Sequence, residues 1–333
     1  MALGGFLRKL PYFFITLLVA TTLMFFIVHN IPGDVTYVLA DQIREEMGVT
    51  YEEALEIAYV MYLGFRPEEP LYKQYVDYLL NLLKGNLGYA YSFRMPVNDI
   101  VIQALPWTLL VLSLALAISF TIGVVLGLLI AWRRGGILSP VVTAYAAFTD
   151  AMPDFITAML LYIFLAVRLG LFPLKGAYDP DIVPGFHPAF ILSVLHHAAL
   201  PICAYVIEHI GLWALMMKGS ATSTLEEDFV RAAVARGLPE RRIMMSYVGR
   251  NAILPLVATL AIQLGTMLGG STLVERVFSY PGIGYFFAEA LMRRDYGLMQ
   301  GLFFLIIAGI IGANLIVELI YPILDPRVRR EAR

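Results

Sequence analysis

Two aspartates four residues apart, Asp150 and Asp154 in the run TDAMPDF, sit inside an otherwise apolar stretch. Farther on come His196 and His197, then Glu208 and His209, and near the end Glu318, again among apolar neighbours. Carboxylates and imidazoles held together could bind a metal, relay a proton, or attract a cationic group on a passing ligand. On a continuous helix the spacing puts Asp150 and Asp154 on one face. They then read either as a pathway wall drawing in an ammonium, or as caps of a helix resuming at Pro153, or as a polar seam between subunits. Adjacent histidines project about 100° apart on a helix, a poor chelating geometry, so His196 and His197 read as structural or interfacial. Glu208 faces a pore, or satisfies backbone freed by Pro201 or a partner subunit. There is no H-E-x-x-H, nucleophile elbow or spaced Cys/His cluster, so no catalytic residue and no metal is assigned.

The elements that position these groups are long and apolar. Of 333 residues, 59% are hydrophobic and 15% charged. A soluble domain is less apolar and carries about 25% charge. A spanning helix needs about 20 mostly apolar residues, which gives about six candidates: 11–30, 104–132, 138–168, 190–217, 252–274 and 300–323. The third contains Pro153 and the fourth Pro201, and prolines in spans are tolerated where neighbours satisfy the freed carbonyls. The first span follows Arg8 and Lys9 and is too long, with no small-residue cleavage site, for a removed leader. The lone Cys203 reads as a buried core residue and excludes an intrachain disulfide. A net charge of −2 points to no nucleic-acid partner.

Basic flanks set the orientation. Arg8, Lys9, Arg133, Arg134, Lys218, Arg231, Arg236, Arg241, Arg242, Arg250, Arg327, Arg329 and Arg330 fall on one side, which makes both termini and the 218–251 stretch cytoplasmic. Asp179, Asp181, Glu275 and Asp295 mark opposite flanks, and the 31–103 segment is acidic. That segment is expected to be a helical outer subdomain. Thr50 and Glu53 have capping-box spacing. Leu71, Tyr75, Tyr78, Leu79 and Leu82 recur at helical spacing before a stop at Gly85. The chain thus divides into 1–30, the insertion 31–103, a core 104–325 with its loop 218–251, and a tail 326–333.

The 218–251 loop is the charged interruption in this apolar chain. Asp228 can cap a helix over Phe229–Arg236, Gly237 can supply a left-handed stop, and Pro239 opens a second helix over Glu240–Arg250. Phe229, Ala232 and Ala233 share a face, one aromatic knob beside two small residues, with Arg231 and Arg236 at its sides. Such a face suits close entry into a cleft. The alternative is an amphipathic helix lying on lipid, which favours bulky side chains where the alanines stand.

The loop resembles the EAA loop of binding-protein-dependent ABC importers, the permease segment that docks on the ATPase. The EAA-x-x-x-G core aligns on Arg231, Ala232, Ala233 and Gly237, with Arg in place of Glu. Arg231, Ala233, Ala235 and Gly237, then Glu240-Arg241-Arg242, then Arg250-Asn251-Ala252 and Pro255, resemble the dipeptide/oligopeptide branch. EPLYKQYVDYLLNLLKGNLGYAYSFRMPV, VERVFSYPGIGYFFAEALMRRDYGLMQG with its Pro281, Gly282 and Gly284, and ELIYPILDPRVR resemble other parts of that branch. The resemblance covers nearly the whole chain. It implies an all-α integral membrane protein with the type I permease fold of ABC importers and a helical outer insertion between the first two spans. It also implies a homologous second permease, two ATPase subunits, an extracytoplasmic binding protein and a cell-membrane location, and gives Glu318 a structural role. The branch carries dipeptides, longer peptides, nickel complexes and some oligosaccharides. No G-x-x-x-x-G-K-[ST] occurs, so ATP and Mg would be bound by partners. The rival readings are a polytopic membrane enzyme built on the acidic and histidine residues, and an ion channel or receptor.

Overall fold

The computed structural model describes residues 2–30, 40–41, 43–45, 47–61, 69–133 and 136–324. The tail 326–333 and the flank charges Arg134, Arg327, Arg329 and Arg330 lie outside the described residues, as do the side chains of Arg8, Lys9 and Glu318. Among the described residues the regular structure is helical except for one two-stranded antiparallel hairpin, β1 (Tyr89–Ala90) with β2 (Met95–Pro96).

Helix α1 (Ala2–His29) is followed by two helices of the insertion, α2 (Tyr51–Met61) and α3 (Leu71–Leu83). Both have the expected local causes. The Thr50 amide and hydroxyl each donate to the Glu53 carboxylate at 3.0 Å, and the Glu53 amide donates back to the Thr50 hydroxyl at 3.3 Å. The Thr50 amide, by bonding the charged form, holds the Glu53 carboxyl below its ordinary value. Helix α3 ends at Gly85 (φ +75°), where the Gly85 and Asn86 amides donate to the Leu82 and Asn81 carbonyls at 3.0 Å each. Its buried face is Gln74, Tyr78 and Leu82; Leu71, expected on that face, is exposed.

The spans follow: α4 (Val97–Trp132), α5 (Leu138–Ala151), α6 (Asp154–Leu161, continued by a π-helical turn Tyr162–Arg168) and α7 (Pro188–Leu225). Then come α8 (Asp228–Ala235), a helical stretch α9 over 240–252 with a π segment Ile243–Gly249, α10 (Leu254–Val277), α11 (Ile283–Arg293) and α12 (Tyr296–Leu324). Among the described residues four helices, in α1, α4, α7 and α12, are long and apolar enough to cross a membrane, and the pair α5–α6 makes a fifth if counted as one span. The remaining expected span, 252–274, falls on the 24-residue α10.

Helices α4 and α7 form the main packing pair. Gly123 and Gly127, four apart on α4, are what lets them close: a Cβ on either would meet Trp213, Ala214 or Met217 of α7. With 36 and 38 residues these helices run to about 55 Å at 1.5 Å per residue, well beyond a hydrocarbon core of about 30 Å. The surplus of α4 enters one core with α1, α3, α11 and α12, while the end of α7 reaches α8. Pro201 lies buried inside α7 without ending it.

The third expected span differs from the sequence reading. It is broken at Met152–Pro153, and its halves meet at 97°. A proline ring cannot accept the preceding turn's geometry, and Met152 adopts extended backbone (ψ 122°). Asp150 and Asp154 therefore belong to different helices and share no face.

Candidate functional site

Three groups of residues stand out, one at each end of the helix bundle and one inside it.

The 218–252 segment is positioned from within. Lys218 donates to Ser139 at 2.9 Å, and Ser220 donates to the Ala252 carbonyl at 2.7 Å, fixing the end of α7 to α5 and α9. Helix α8 is held through Val230 and Ala233, both buried, with Phe229 packed partly against the same core. Its stop is a Schellman turn: the Gly237 amide reaches the Val234 carbonyl (2.9 Å) and the Leu238 amide the Ala233 carbonyl (3.4 Å), with Gly237 at φ +70°. Two details correct the sequence reading. Asp228 does not cap; Glu227 occupies that position without a side-chain bond, and Asp228 lies 3.6 Å from Arg231 instead. Ala233 is 2% exposed and turned into the chain's own core, so the outward surface is Arg231, Ala232, Val234, Ala235 and Arg236. Beside it opens an apolar cleft of about 450 Å³ lined by Trp132, Leu225, Val230, Arg231, Val234 and Ala235.

At the opposite end, the segment after α10 is built around carboxylates, among them Glu275 and Asp295, which the sequence reading placed on the acidic flanks. Glu275 and Asp295 are both fully buried, and Glu289 nearly so. Glu275 accepts from the Thr108 hydroxyl of α4 (2.8 Å) and from the Tyr285 amide (3.1 Å). The same Thr108 oxygen accepts the Ile283 amide at 2.8 Å. The α10 terminus, α4 and the first turn of α11 thus meet at one carboxylate and one hydroxyl. Gly282 lies against both, and a Cβ there would strike the Glu275 carboxylate and the Thr108 oxygen. Glu289 pairs with Arg276 and, at 2.9 Å, with Arg293. Asp295 accepts from the Ser92 amide (3.0 Å), the Ser92 hydroxyl (2.6 Å) and the Leu298 amide (3.1 Å), so the hairpin is tied to the start of α12. Burial raises the Asp295 carboxyl above its ordinary range, against the pull of those donors and of Arg293. Pro281 and Gly282 lead into α11, and Gly284 lies in its first turn. The missed signal is a lone acid in the last turn of an apolar helix, just before a Tyr-Pro-Gly turn; in such a place a carboxylate has to find donors within the protein.

Inside the bundle, Glu208 accepts from the Thr157 hydroxyl, joining α7 to α6, and the Tyr145 hydroxyl donates to the Ile207 carbonyl, joining α7 to α5. Both halves of the broken span are thereby pinned to α7. The Asp154 carboxylate accepts its own helix's Phe155 amide at 3.0 Å. Asp150 is exposed and lies on the other half of the broken span. The buried Tyr205 hydroxyl, on the same turn of α7, has no hydrogen-bond partner. His196, His197 and His209 each bond a backbone carbonyl, of Leu171, Ser193 and Tyr205, at 3.0, 2.8 and 2.9 Å. Among the described residues no three His, Cys, Asp or Glu side chains converge as a metal site would require. Cys203, expected in the core, is exposed.

The family model for the binding-protein-dependent transport system inner membrane component matches residues 123–330, which include all of α7 to α11. Among curated proteins, the chain is 30% identical to the dipeptide transport system permease protein DppB of Escherichia coli (strain K12), with 98% of each chain covered. It is 31% identical to the di/tripeptide transport system permease protein DppB of Pseudomonas aeruginosa, over 97% of this chain and 98% of that one. It is 29% identical to the oligopeptide transport system permease protein OppB of Haemophilus influenzae, over 94% and 95%. With its apolar helices and a match spanning well over half its length, the chain is a multi-pass membrane protein and belongs to the family of inner membrane components of binding-protein-dependent transport systems.

Proposed function

We propose that this chain is the permease subunit of an ATP-driven importer of peptides, forming half of the translocation pathway beside a homologous permease. Two ATPase subunits bind ATP and Mg, and an extracytoplasmic binding protein delivers the substrate. The observation that carries the reading is α8: a short helix whose attitude is fixed by Val230, Ala233 and the Gly237 turn, and whose outer surface sets Ala232, Val234 and Ala235 between Arg231 and Arg236, beside an open apolar cleft. A helix fixed on one side and free on the other transmits the movement of whatever seats against it. Peptide cargo is supported by the relatives, whose names specify dipeptides, di/tripeptides and oligopeptides. Asp154 and Glu208 are the pathway-facing candidates for a substrate ammonium; Asp150, exposed and on the other half of the broken span, is a weaker one.

The docking test must use outward residues, since enlarging Ala233 would overpack this chain's own core. Ala232→Trp and Ala235→Trp are expected to release the ATPase subunits from membranes in a high-salt wash and to abolish uptake of short peptides, with the melting midpoint unchanged. Full ATPase retention and normal uptake in both variants would sink the docking assignment. Both termini and α8 are assigned to the cytoplasm. In a Cys203→Ser background, a cysteine at Glu53 should react with an impermeant thiol reagent from outside and one at Glu240 should not; the reverse pattern overturns the orientation.

A further inference from the structure

Helix α3 carries an apolar stripe on its outward side. Tyr72, Val76, Leu80 and Leu83 follow one another at helical spacing, and all are exposed, Tyr72 by 73% and Leu83 by 84%. The opposite face, with Gln74, Tyr78 and Leu82, is buried. At the edge between the two, Tyr75 reaches α1: its hydroxyl bonds the Thr22 hydroxyl at 2.6 Å, and its ring lies 5.3 Å from Phe25 and 6.3 Å, stacked, from Phe26. Thr22 lies within the apolar window Pro11–Val28. Its distance from the Val28 end is about 9 Å at 1.5 Å per residue. Phe26 and the neighbouring Val19, Leu23 and Ile27 are themselves exposed, forming the bilayer-facing side of α1. The Tyr75 contacts join the helix that carries the stripe to this exposed side of α1. On the stripe's far edge stand Lys73, which pairs with Glu69 at 2.7 Å, and Lys84.

We propose that α3 is an interfacial helix, lying in the plane of the membrane with Tyr72, Val76, Leu80 and Leu83 inserted into the leaflet at the C-terminal end of α1. The depth agrees. An amphipathic helix on a bilayer buries its apolar face by about 5–10 Å, and a tyrosine hydrogen-bonded to Thr22 puts α3 at that level. The chemistry agrees as well: tyrosine is favoured at the membrane–water boundary, and lysines flanking an apolar stripe can lay their stems on it while the ammonium reaches headgroup phosphate. Because Tyr78 and Leu82 share a core with Ile283 and Leu298, the lipid surface then sets the height of the whole outer assembly.

The experiment uses the complete transporter in phospholipid proteoliposomes, in a Cys203→Ser background. Nitroxide labels are placed singly at Val76, Leu83, Lys73 and Lys84, and collisions with oxygen and with a water-soluble nickel chelate are measured. At Val76 and Leu83 oxygen collisions should exceed chelate collisions several-fold; at Lys73 and Lys84 the order should reverse. Aqueous access at Val76 and Leu83 equal to that at the lysines overturns the proposal. So does an immobilised label shielded from both reagents, which would show that a protein chain covers the stripe. Should the labels impair assembly, Leu83→Trp in vesicles of brominated phosphatidylcholine gives an independent reading. Its added fluorescence should be quenched, and unquenched emission overturns the proposal.

Discussion

Helices α8 and α11 are both short, both join longer helices, and both adjoin a glycine turn, yet their charged groups are placed in opposite ways. Around α8 the charges are outside: the Asp228 and Arg231 side chains are 99% and 71% exposed, and nothing but α8's inner face is fixed. Around α11 the carboxylates are inside, each consumed by donors of the same chain. An exposed charge keeps its hydration and is available to a partner; a buried one has exchanged water for fixed donors and resists rearrangement until all of them move together. One end of this permease is built to be gripped and the other to hold one closed arrangement, or to release it as a unit.

The largest effect is expected where that contrast is sharpest. Glu275→Ala leaves the Thr108 hydroxyl without its acceptor and the Tyr285 amide without a partner, at about 1–3 kcal/mol for each buried group. The melting midpoint of the purified complex should drop sharply and uptake should be lost. Asp228→Ala should melt as the unsubstituted protein does, because an exposed pair contributes little. Equal midpoints for the two variants would erase the distinction between the ends.

Two glycines sharpen the comparison at intermediate size. Gly282 has ordinary extended backbone (φ −91°, ψ 179°) but no room, while Gly237 has open space and a left-handed φ of +70°. Gly282→Ala should therefore destabilise by about 1–3 kcal/mol through overpacking. Gly237→Ala should cost about 1–2 kcal/mol of local strain that frays only the end of α8. The first should lower the melting midpoint; the second should leave it in place and weaken ATPase retention. A swap of these outcomes would mean the crowding and the strain have been assigned to the wrong turns.

The smallest effect is a pH slope. Burial raises the Asp295 carboxyl, so the folded protein holds this proton more tightly than the unfolded chain. Stability from this group is then complete below the ordinary carboxylate range and declines as pH rises through the raised value. Asp295→Asn should flatten that decline in melting midpoint between acid and neutral pH; an unchanged slope would show that another group titrates there.

Much of this was legible beforehand, for local reasons. The Thr50–Glu53 box, the stops at Gly85 and Gly237 and the long apolar helices depend on backbone groups a few residues away, so spacing alone reveals them. The partners of the acids around α11 were not legible in this way. Thr108 meets Glu275 across 167 positions of sequence, and Ser92 meets Asp295 across 203. Nothing in either neighbourhood announces the other. The acids looked like flank charges because, read alone, a carboxylate at a helix end does face water.

The sequence by itself therefore determined that this chain crosses a membrane, where the Thr50 box and the stops at Gly85 and Gly237 lie, and that a charged helical segment interrupts the spans, since hydrophobicity and capping act over one or two turns. Tertiary structure alone decided which face of α8 points outward, that the third span bends by 97° and separates Asp150 from Asp154, and that three acids in and around α11 are buried. Those outcomes depend on which distant surfaces meet. Gly123 and Gly127 bring α7 onto α4, α7 in turn fixes both halves of the broken span and the base of α8, and a side chain's surroundings exist only after those helices have closed.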